Sequence, residues 1–263
     1  MWEKLQACMR IDLNGDVGEE SEGSGPGSPD SSLMPHLTSA NVACGFHAGD
    51  AGLMRDTVAL AREHGVAVGA HPSFPDPEGF GRRELHFSPA DVEDFVSYQV
   101  GALAAIAASQ GVRLQHVKPH GALFNMAARD AALADAIARA AAVIDRNLIL
   151  FGLPGSQLVE AGKRAGLRTA AEGFADRAYQ PDGTLVPRQQ EGAVILDAAT
   201  VVPRVIRMAR DHVVEAIDGT ELPLVVDTIC VHGDTPGAAD LAARIRTALV
   251  ALGVEVVAVG QIR

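Results

Sequence analysis

Short apolar runs alternate with longer segments of helical period along most of this chain, and this alternation constrains its fold most. The runs that read as strands, each five to eight residues long, are RIDLN, LTSANVAC, VAVGA, LQHVK, LILFGL, LRTAAEG and VVDTICV. Helical segments lie between most of them, such as residues 50–65, which begin at an Asp cap and stop at Gly65. Buried strands alternating with helices predict an α/β fold with a parallel sheet. Seven such units favour an irregular seven-stranded parallel (β/α) barrel over an open doubly wound sheet.

The chain length suits one domain. With 263 residues and 48% hydrophobic content, residues 1–263 can build a single large core. Residues 19–32 interrupt the alternation, because they are almost entirely Gly, Ser, Pro and acidic residues, and we expect a mobile loop there. Residues 213–226 carry two apolar runs around Asp218 and Gly219, which is typical of a tight hairpin appended before the last strand.

The charge balance excludes several classes of partner. A net charge of -11 disfavours nucleic acid and anionic membrane surfaces, because both attract positive fields, and it suits a protein with a small-molecule site. The first ten residues lack the apolar core of a signal peptide, and no apolar run is long enough to span a bilayer, so we expect a cytoplasmic protein.

Cys8, Cys44 and Cys230 are too few and too far apart for a disulfide framework. We interpret Cys44 and Cys230 as core residues, with a nucleophile as the alternative.

Polar side chains collect at the carboxyl ends of the predicted strands, where barrel enzymes build their sites. Because side chains alternate with period two, His116, Lys118 and His120 point to one side, which in a barrel can be the lumen. A single strand-end histidine is more often structural, and a polar plug at the barrel mouth is the alternative reading of the whole set. The convergence of six clusters nevertheless predicts a functional site. Its members are Asp12, Asn14, Asp16, Cys44, His47, His71, His116, Lys118, His120, Glu172, Asp176, Arg177, Cys230, His232 and Asp234.

Neither a nucleotide site nor a metal site follows from spacing. Residues 155–164 contain Gly-Lys, but six residues separate Gly155 from Gly162 and Arg164 stands where Ser or Thr is required. ATP, if used, is therefore handled at another site or by another chain. The sequence has no H-E-x-x-H pair, so its spacing neither establishes nor excludes a divalent metal. Its candidate ligands are Asp12, His47 and His71. The loop GFGRRE presents Arg82 and Arg83 as an anion clamp, a partner contact or part of a solvated turn.

Several long motifs in one order resemble the LamB/YcsF family. They are DLNGDVGE, SANVACGFHAGD, GAHPSFPD, GFGRR, HVKPHGALFN, FADRAY, DGTLVPR and TICVHGD. The resemblance covers the chain from about Ile11 onward and implies a barrel similar to the polysaccharide deacetylases. It also implies ATP-dependent hydrolysis of the 5-oxoproline lactam to L-glutamate together with two partner subunits, B and C. The chain differs from the family pattern at residues 20–30, which lack aromatic residues, at Phe124, where Tyr is frequent, and at Gly173, where larger apolar residues are common.

The implied reaction suggests roles for the clustered residues. An unstrained lactam opens slowly, so ATP has to activate its amide oxygen, for example by phosphorylation, before water attacks the carbonyl carbon. We hypothesise that the partners activate the substrate and that this chain completes the hydrolysis, with a carboxylate or histidine as general base and Lys118 stabilising negative charge. The candidate catalytic residues are Asp12, Asp16, His47, His71, Lys118, His120 and His232. The candidate substrate-binding residues are Asn14, Asn41, Arg82, His116, Glu172, Asp176, Arg177 and Asp234.

Two other functions fit the same residues. A non-catalytic protein that binds and delivers the substrate would also need Lys118 and histidine donors. A metal-dependent deacetylase or amidase acting alone is suggested by the similarity of folds, which is an analogy.

Overall fold

Strands and helices alternate along the chain. In the computed structural model, which describes residues 9–19, 27–233 and 237–262, the first half contains β1 (Arg10–Val17), α1 (Pro29–Leu33), a 3-10 turn (Met34–His36), β2 (Ser39–Ala43), α2 (Ala51–His64), β3 (Ala67–His71), α3 (Pro89–Ser109), β4 (Leu114–Val117), α4 (Gly121–Ala127) and α5 (Ala131–Ile144). The second half contains β5 (Ile149–Gly152), α6 (Gln157–Arg164), β6 (Arg168–Phe174), α7 (Ala198–Asp211), β7 (Val213–Glu215), β8 (Glu221–Pro223), β9 (Thr228–Val231), α8 (Ala238–Ala251), β10 (Glu255–Val256) and a 3-10 turn (Val259–Gln261).

Seven of the strands close into a barrel. They follow the order β1-β2-β3-β4-β5-β6-β9, and β9 pairs with β1 to complete the ring. Every pairing in the ring is parallel. The short β10 pairs with the first residues of β1, at the amino end of the barrel. The predicted seven-stranded parallel barrel is therefore confirmed, and all its strand carboxyl ends meet on one face.

The two segments that interrupt the alternation take different forms. Within residues 213–226, β7 and β8 form an antiparallel pair in which Val214 lies opposite Leu222. Of the loop predicted over residues 19–32, residues 20–26 lie outside the described residues. Residues 29–33 form α1, because the Ser28 side chain accepts a hydrogen bond from the backbone N–H of Ser31 and Pro29 occupies the first turn. A Ser-Pro-Asp sequence is a helix-start signal, and it outweighs the Gly/Ser/Pro composition of that segment.

Apolar side chains fill the space between the strands and the helices around them. Helix α3 starts with a capping box, in which Ser88 and Asp91 each accept from the other's backbone N–H. Cys44 and Cys230 are both buried, as the sequence predicts, with Cys230 on the lumen side of β9. Cys8 lies outside the described residues.

Among the helices of the described ranges, none combines the length and the apolar character that crossing a bilayer requires.

His116 occupies part of the barrel lumen and depends on a glycine in the neighbouring strand. Its ring stacks on Phe151 with a centroid distance of 4.3 Å, and Gly69 lies opposite His116 in the register of β3 and β4. A Cβ atom at residue 69 would lie 2.1 Å from His116 Nε2. Because both residues are enclosed by the barrel, the ring has no nearby space into which it could move.

We expect Gly69→Ala to destabilise the protein by about 3 kcal/mol, because the added methyl group overpacks the lumen. Gly101→Ala in α3 is the matched control, since a Cβ there meets nothing within 4 Å. The control should raise the free energy of unfolding by about 0.5–1 kcal/mol through helix propensity and chain entropy. Chemical denaturation of both variants measures the two effects, and similar changes in both would contradict the packing argument.

Candidate active site

A polar network fills the barrel lumen, and Asp12 forms its lower end. The Asp12 carboxylate accepts hydrogen bonds from the hydroxyls of Thr38, Ser39 and Thr228, and the residue is fully buried. Burial raises the pKa of the Asp12 carboxyl to about 6, although the three hydroxyl donors lower it in part. Asp12 is thus a structural anchor between β1, β2 and β9, at the opposite end of the lumen from the strand-end cluster.

Two asparagines and His116 form the middle of the network. Asn41 donates from Nδ2 to Asn14 Oδ1 at 2.7 Å and to Asp16 Oδ1 at 2.8 Å, so its own oxygen is an acceptor. His116 Nε2 lies 2.7 Å from that oxygen and must therefore carry a hydrogen. Asn14 in turn donates to Glu172 Oε1 at 3.0 Å. These bonds fix the orientations of the two amides, so that Asn14 Oδ1 and Asp16 Oδ1 both face the ammonium group of Lys118.

The Lys118 ammonium group lies at the centre of the lumen. Its Nζ is 2.8 Å from Asp16 Oδ1, 3.1 Å from Glu172 Oε1 and 3.0 Å from Cys230 Sγ. Burial alone would lower the pKa of Lys118, but Asp16, Cys230 and Glu172 outweigh it and raise that pKa well above its usual value. An ammonium group has three hydrogens, and these buried acceptors use them. Lys118 therefore neutralises buried carboxylates, which explains a lysine between two histidines in this acidic chain.

Asp16 is held ionised by this arrangement. Burial would raise the pKa of its carboxyl, but His71 and Lys118 outweigh burial and lower that pKa well below its usual value. Asp16 Oδ2 lies 3.4 Å from His71 Nε2, so the carboxylate connects the lysine to the residues above it.

Three histidines and one glutamate lie above Asp16 and are called here the histidine–glutamate cluster: Glu19, His47, His71 and His120. They come from the ends of β1 to β4, because His71 ends β3, His120 caps α4 just after β4, and His47 follows β2. Burial and the neighbouring ring of His71 lower the pKa of His47 well below its usual value. Burial, His47 and His71 do the same for the pKa of His120, so both rings are neutral at physiological pH.

His232 and Asp176 form a separate pair across the barrel mouth. His232 Nδ1 lies 2.8 Å from Asp176 Oδ1, and the imidazole stacks on Phe174. Burial would raise the pKa of the Asp176 carboxyl, but His232 outweighs it and lowers that pKa. The buried carboxylate holds the hydrogen on Nδ1 and leaves Nε2 of a cavity-lining histidine able to accept a proton.

A cavity of about 520 Å³ opens at this end of the barrel. Its wall includes five arginines. Arg83 and Arg129 form ion pairs with Asp76 and Glu84, and the other three, Arg82, Arg177 and Arg188, come from the loops after β3 and β6. Arg177 donates to the backbone oxygen of Val186 at 2.6 Å, which holds its guanidinium group in place. Burial, Arg188 and Arg82 lower the pKa of Arg177, since like charges lie near one another. Three neighbouring guanidinium groups are suited to binding a carboxylate or a phosphoryl group.

The structure brings most of the predicted residues to one end of the barrel. Those that line the cavity are Asp16, His71, Arg82, Lys118, His120, Arg177 and His232. His47 and Asp176 contact this group, whereas Asn14, Asn41, His116 and Glu172 lie in the supporting network below it. Asp12 does not join the cavity, and Asp234 lies outside the described residues. The Gly-Lys segment forms helix α6, in which the Ser156 hydroxyl caps the first turn and Lys163 lies in the last turn.

The cavity and cluster residues that are missing from the sequence prediction include Glu19 and Arg188. Glu19 escapes the period-two pattern because Gly18, with a φ of 71°, turns the chain after β1. That glycine is the available signal. Arg188 belongs to the long connection between β6 and α7, where strand periodicity does not apply, and its position at the end of the motif DGTLVPR is the available signal.

Comparison with known proteins decides the family. The family model described as LamB/YcsF matches residues 11–263. The chain belongs to the LamB/YcsF family.

The A subunit of 5-oxoprolinase from Chloroflexus aggregans is 54% identical over 94% of this chain and 98% of that protein. The crystal structure of a lactam utilization protein from Thermus thermophilus has 46% identity and a TM-score of 0.88, covering 95% of this chain and all of that one. The peptidoglycan deacetylase PdaC from Bacillus subtilis, at 17% identity and TM-score 0.50, covers 97% of this chain and 90% of its own and shares the fold alone.

Asp12 should give the protein a measurable pH dependence of stability. Its pKa is about 6 in the folded state against 3.8 as the usual value, so the folded protein binds more protons between these values. The contribution of Asp12 to the free energy of unfolding is largest below pH 4. It falls by about 3 kcal/mol in all as the pH rises through 6. Asp12→Asn removes the titration, so the stability advantage of the wild type over the variant should shrink by that amount from pH 4 to 7.

Urea denaturation at several pH values measures this difference. All other titrating groups are shared by the two proteins, so their contributions cancel. A difference in unfolding free energy that stays constant with pH would show that Asp12 is not a raised, buried carboxyl.

Proposed function

We propose that this chain is the A subunit of an ATP-dependent 5-oxoprolinase. In this proposal it opens the lactam of 5-oxoproline to L-glutamate together with 5-oxoprolinase subunits B and C, and ATP is a co-substrate handled largely by those partners. The names of the relatives support the proposal, since the similar proteins are called the A subunit of 5-oxoprolinase and lactam utilization protein. The observation that carries it is a cavity in which the His232–Asp176 pair faces the same space as three arginines.

The cavity suits a small anion. 5-Oxoproline has one carboxylate, and Arg82, Arg177 and Arg188 supply the planar donors that bind such groups in pairs of hydrogen bonds. A phosphoryl group transferred from ATP would add negative charge, which the same arginines can also neutralise. Lys118 is less suited to this role, because its hydrogens are directed to Asp16, Glu172 and Cys230. Its proposed contribution is to hold Asp16 ionised at the cavity wall.

His232 is the proposed proton shuttle. Once the amide oxygen has been phosphorylated, water adds to the carbonyl carbon and His232 Nε2 accepts its proton. The histidine returns this proton to the ring nitrogen, accepts the remaining hydroxyl proton as the carbonyl re-forms, and passes it to the same nitrogen as the C–N bond breaks. The nitrogen then leaves as an amine and an acyl phosphate remains. A second water molecule releases phosphate and gives glutamate. Asp176 keeps the hydrogen on Nδ1 throughout and stabilises the imidazolium that forms after each proton is accepted.

The isolated chain should not convert 5-oxoproline and ATP to glutamate, and adding both partner subunits should start the reaction. The reason is that the best nucleotide-loop candidate, residues 155–164, forms the capped helix α6, with Lys163 in the last turn rather than at the amino end where a phosphate-binding loop needs it. An assay that measures glutamate and ADP decides this. ATP-dependent glutamate release by the chain alone contradicts the division of labour, and hydrolysis without ATP supports an amidase acting alone.

His232→Asn in the reconstituted complex should lower turnover by about 10²–10⁴-fold, as expected on losing a general acid–base. Asn keeps a donor near the position of Nδ1, so the bond to Asp176 and the folded state should survive. His64→Asn, on an exposed position of α2, is the control and should retain full turnover. A His232→Asn complex that turns over at the wild-type rate would instead favour a protein that only binds and delivers substrate.

A further inference from the structure

The hydrogen bonds of two cluster histidines determine which nitrogens carry hydrogen. His71 Nδ1 lies 2.7 Å from the backbone oxygen of Lys118, and His120 Nε2 lies 2.9 Å from the backbone oxygen of Phe80. Carbonyl oxygens only accept, so both of these nitrogens are donors. The nitrogens that these bonds leave for the cluster are consequently His71 Nε2 and His120 Nδ1.

These two nitrogens face each other at 2.9 Å. A contact this short between two ring nitrogens requires a proton or another positive species between them or beside them. A proton shared between the rings would relieve this one contact. It would not account for the third ring and the carboxylate that approach the same point.

The remaining two cluster residues complete a set of converging donor atoms. Glu19 Oε1 lies 3.1 Å from His47 Nε2, 3.4 Å from His120 Nδ1 and 3.9 Å from His71 Nε2. All four ligand atoms lie within 4.8 Å of one another. Ligands bound tetrahedrally at about 2.1 Å from a metal are separated by roughly 3.4 Å from one another. The four distances given above, from 2.9 to 3.9 Å, lie on both sides of this value.

The backbone around the cluster supports the same interpretation. Phe80 has a φ of 52°, which is unfavourable for a bulky residue, and its carbonyl is the acceptor for His120. Gly81 next to it has a φ of 63°, and a Cβ there would lie 2.9 Å from both His47 Cβ and His120 Cδ2. The strained backbone lies where it brings two cluster rings together and fixes the orientation of one of them, as the supporting hydrogen bonds of metal ligands do.

We propose that Glu19, His47, His71 and His120 bind one divalent transition-metal ion. Three imidazole nitrogens and one carboxylate suit zinc, cobalt or nickel, whereas magnesium and calcium prefer oxygen donors. The set replaces the ligands suggested by the sequence, since it keeps His47 and His71, adds Glu19 and His120, and omits Asp12 at the far end of the lumen. Because His71 and His120 also line the cavity, a bound ion would supply Lewis-acid polarisation to a group held there.

Metal binding by the full-length, untagged chain tests this proposal without reference to any activity. Protein stripped with a chelator and then titrated with Co²⁺ should take up one equivalent and develop the visible absorption bands of low-coordinate cobalt with nitrogen ligands. Calorimetric titration with Zn²⁺ should give the same stoichiometry with micromolar or tighter affinity, and Zn²⁺ should raise the melting temperature of the wild type.

Three variants identify the ligands. His71→Asn and His120→Asn should each weaken Zn²⁺ binding by about 100-fold or more and abolish the cobalt bands, and Glu19→Gln should weaken it by at least about 10-fold. His64→Asn, which removes an exposed histidine, should bind as the wild type does. If a histidine variant fails to fold, Glu19→Gln and the thermal shift still decide. Millimolar affinity in the wild type, or unchanged binding in the foldable cluster variants, overturns the proposal.

Discussion

The ion pairs of Lys118 inside the barrel are the interaction on which the other polar groups depend. A buried ammonium group is costly to desolvate, and it is stable here because Asp16 and Glu172 lie within 3.1 Å of it. The same contacts hold Asp16 as a carboxylate, and Asn41 and His116 fix the direction of that carboxylate from below. The histidines at the barrel mouth then meet a charged oxygen. Removing the lysine would leave two carboxylates buried without a counter-ion.

One lysine does not balance the lumen completely. Asp12, Asp16 and Glu172 are all fully or nearly fully buried, and the pKa values of Asp12 and Glu172 are raised, mainly by burial. The lumen therefore costs folding free energy at neutral pH, and the apolar layer between strands and helices has to offset that cost. Most of the remaining positive charge near the site lies on the arginines of the loops, where it faces the cavity rather than the lumen. The acidic net charge of the chain thus says little about the charge that a ligand meets.

The sequence predicts the barrel well and the site only in part, for physical reasons. The number of strand–helix units sets the barrel, because parallel strands with short connections pair in sequence. Period two places Asp12 and Asp16 on the same side of β1, but it does not distinguish their environments. The two residues are roughly 13 Å apart along the strand, so Asp12 lies in the supporting network while Asp16 lines the cavity. The pair of Asp176 and His232 could not be predicted, since the closing strand β9 pairs with β6 only after a long excursion through α7 and the hairpin. Glu19 could not be predicted either, because the turn made by Gly18 ends the alternation.

Asp16 also connects the two chemical parts of the mouth. The histidine–glutamate cluster comes from β1 to β4, whereas His232 and Asp176 come from β9 and the end of β6, so the barrel separates them. Asp16 on β1 reaches both, because its Oδ2 is 3.4 Å from His71 Nε2 and its carboxylate lies within 4.8 Å of a ring nitrogen of His232. Any change in the charge of Asp16 therefore acts on both sides of the cavity through Coulomb interactions that are strong in so dry a site. Since His71 and Lys118 together hold that charge, a residue that is buried beneath the cavity contributes to the electrostatics of the whole mouth.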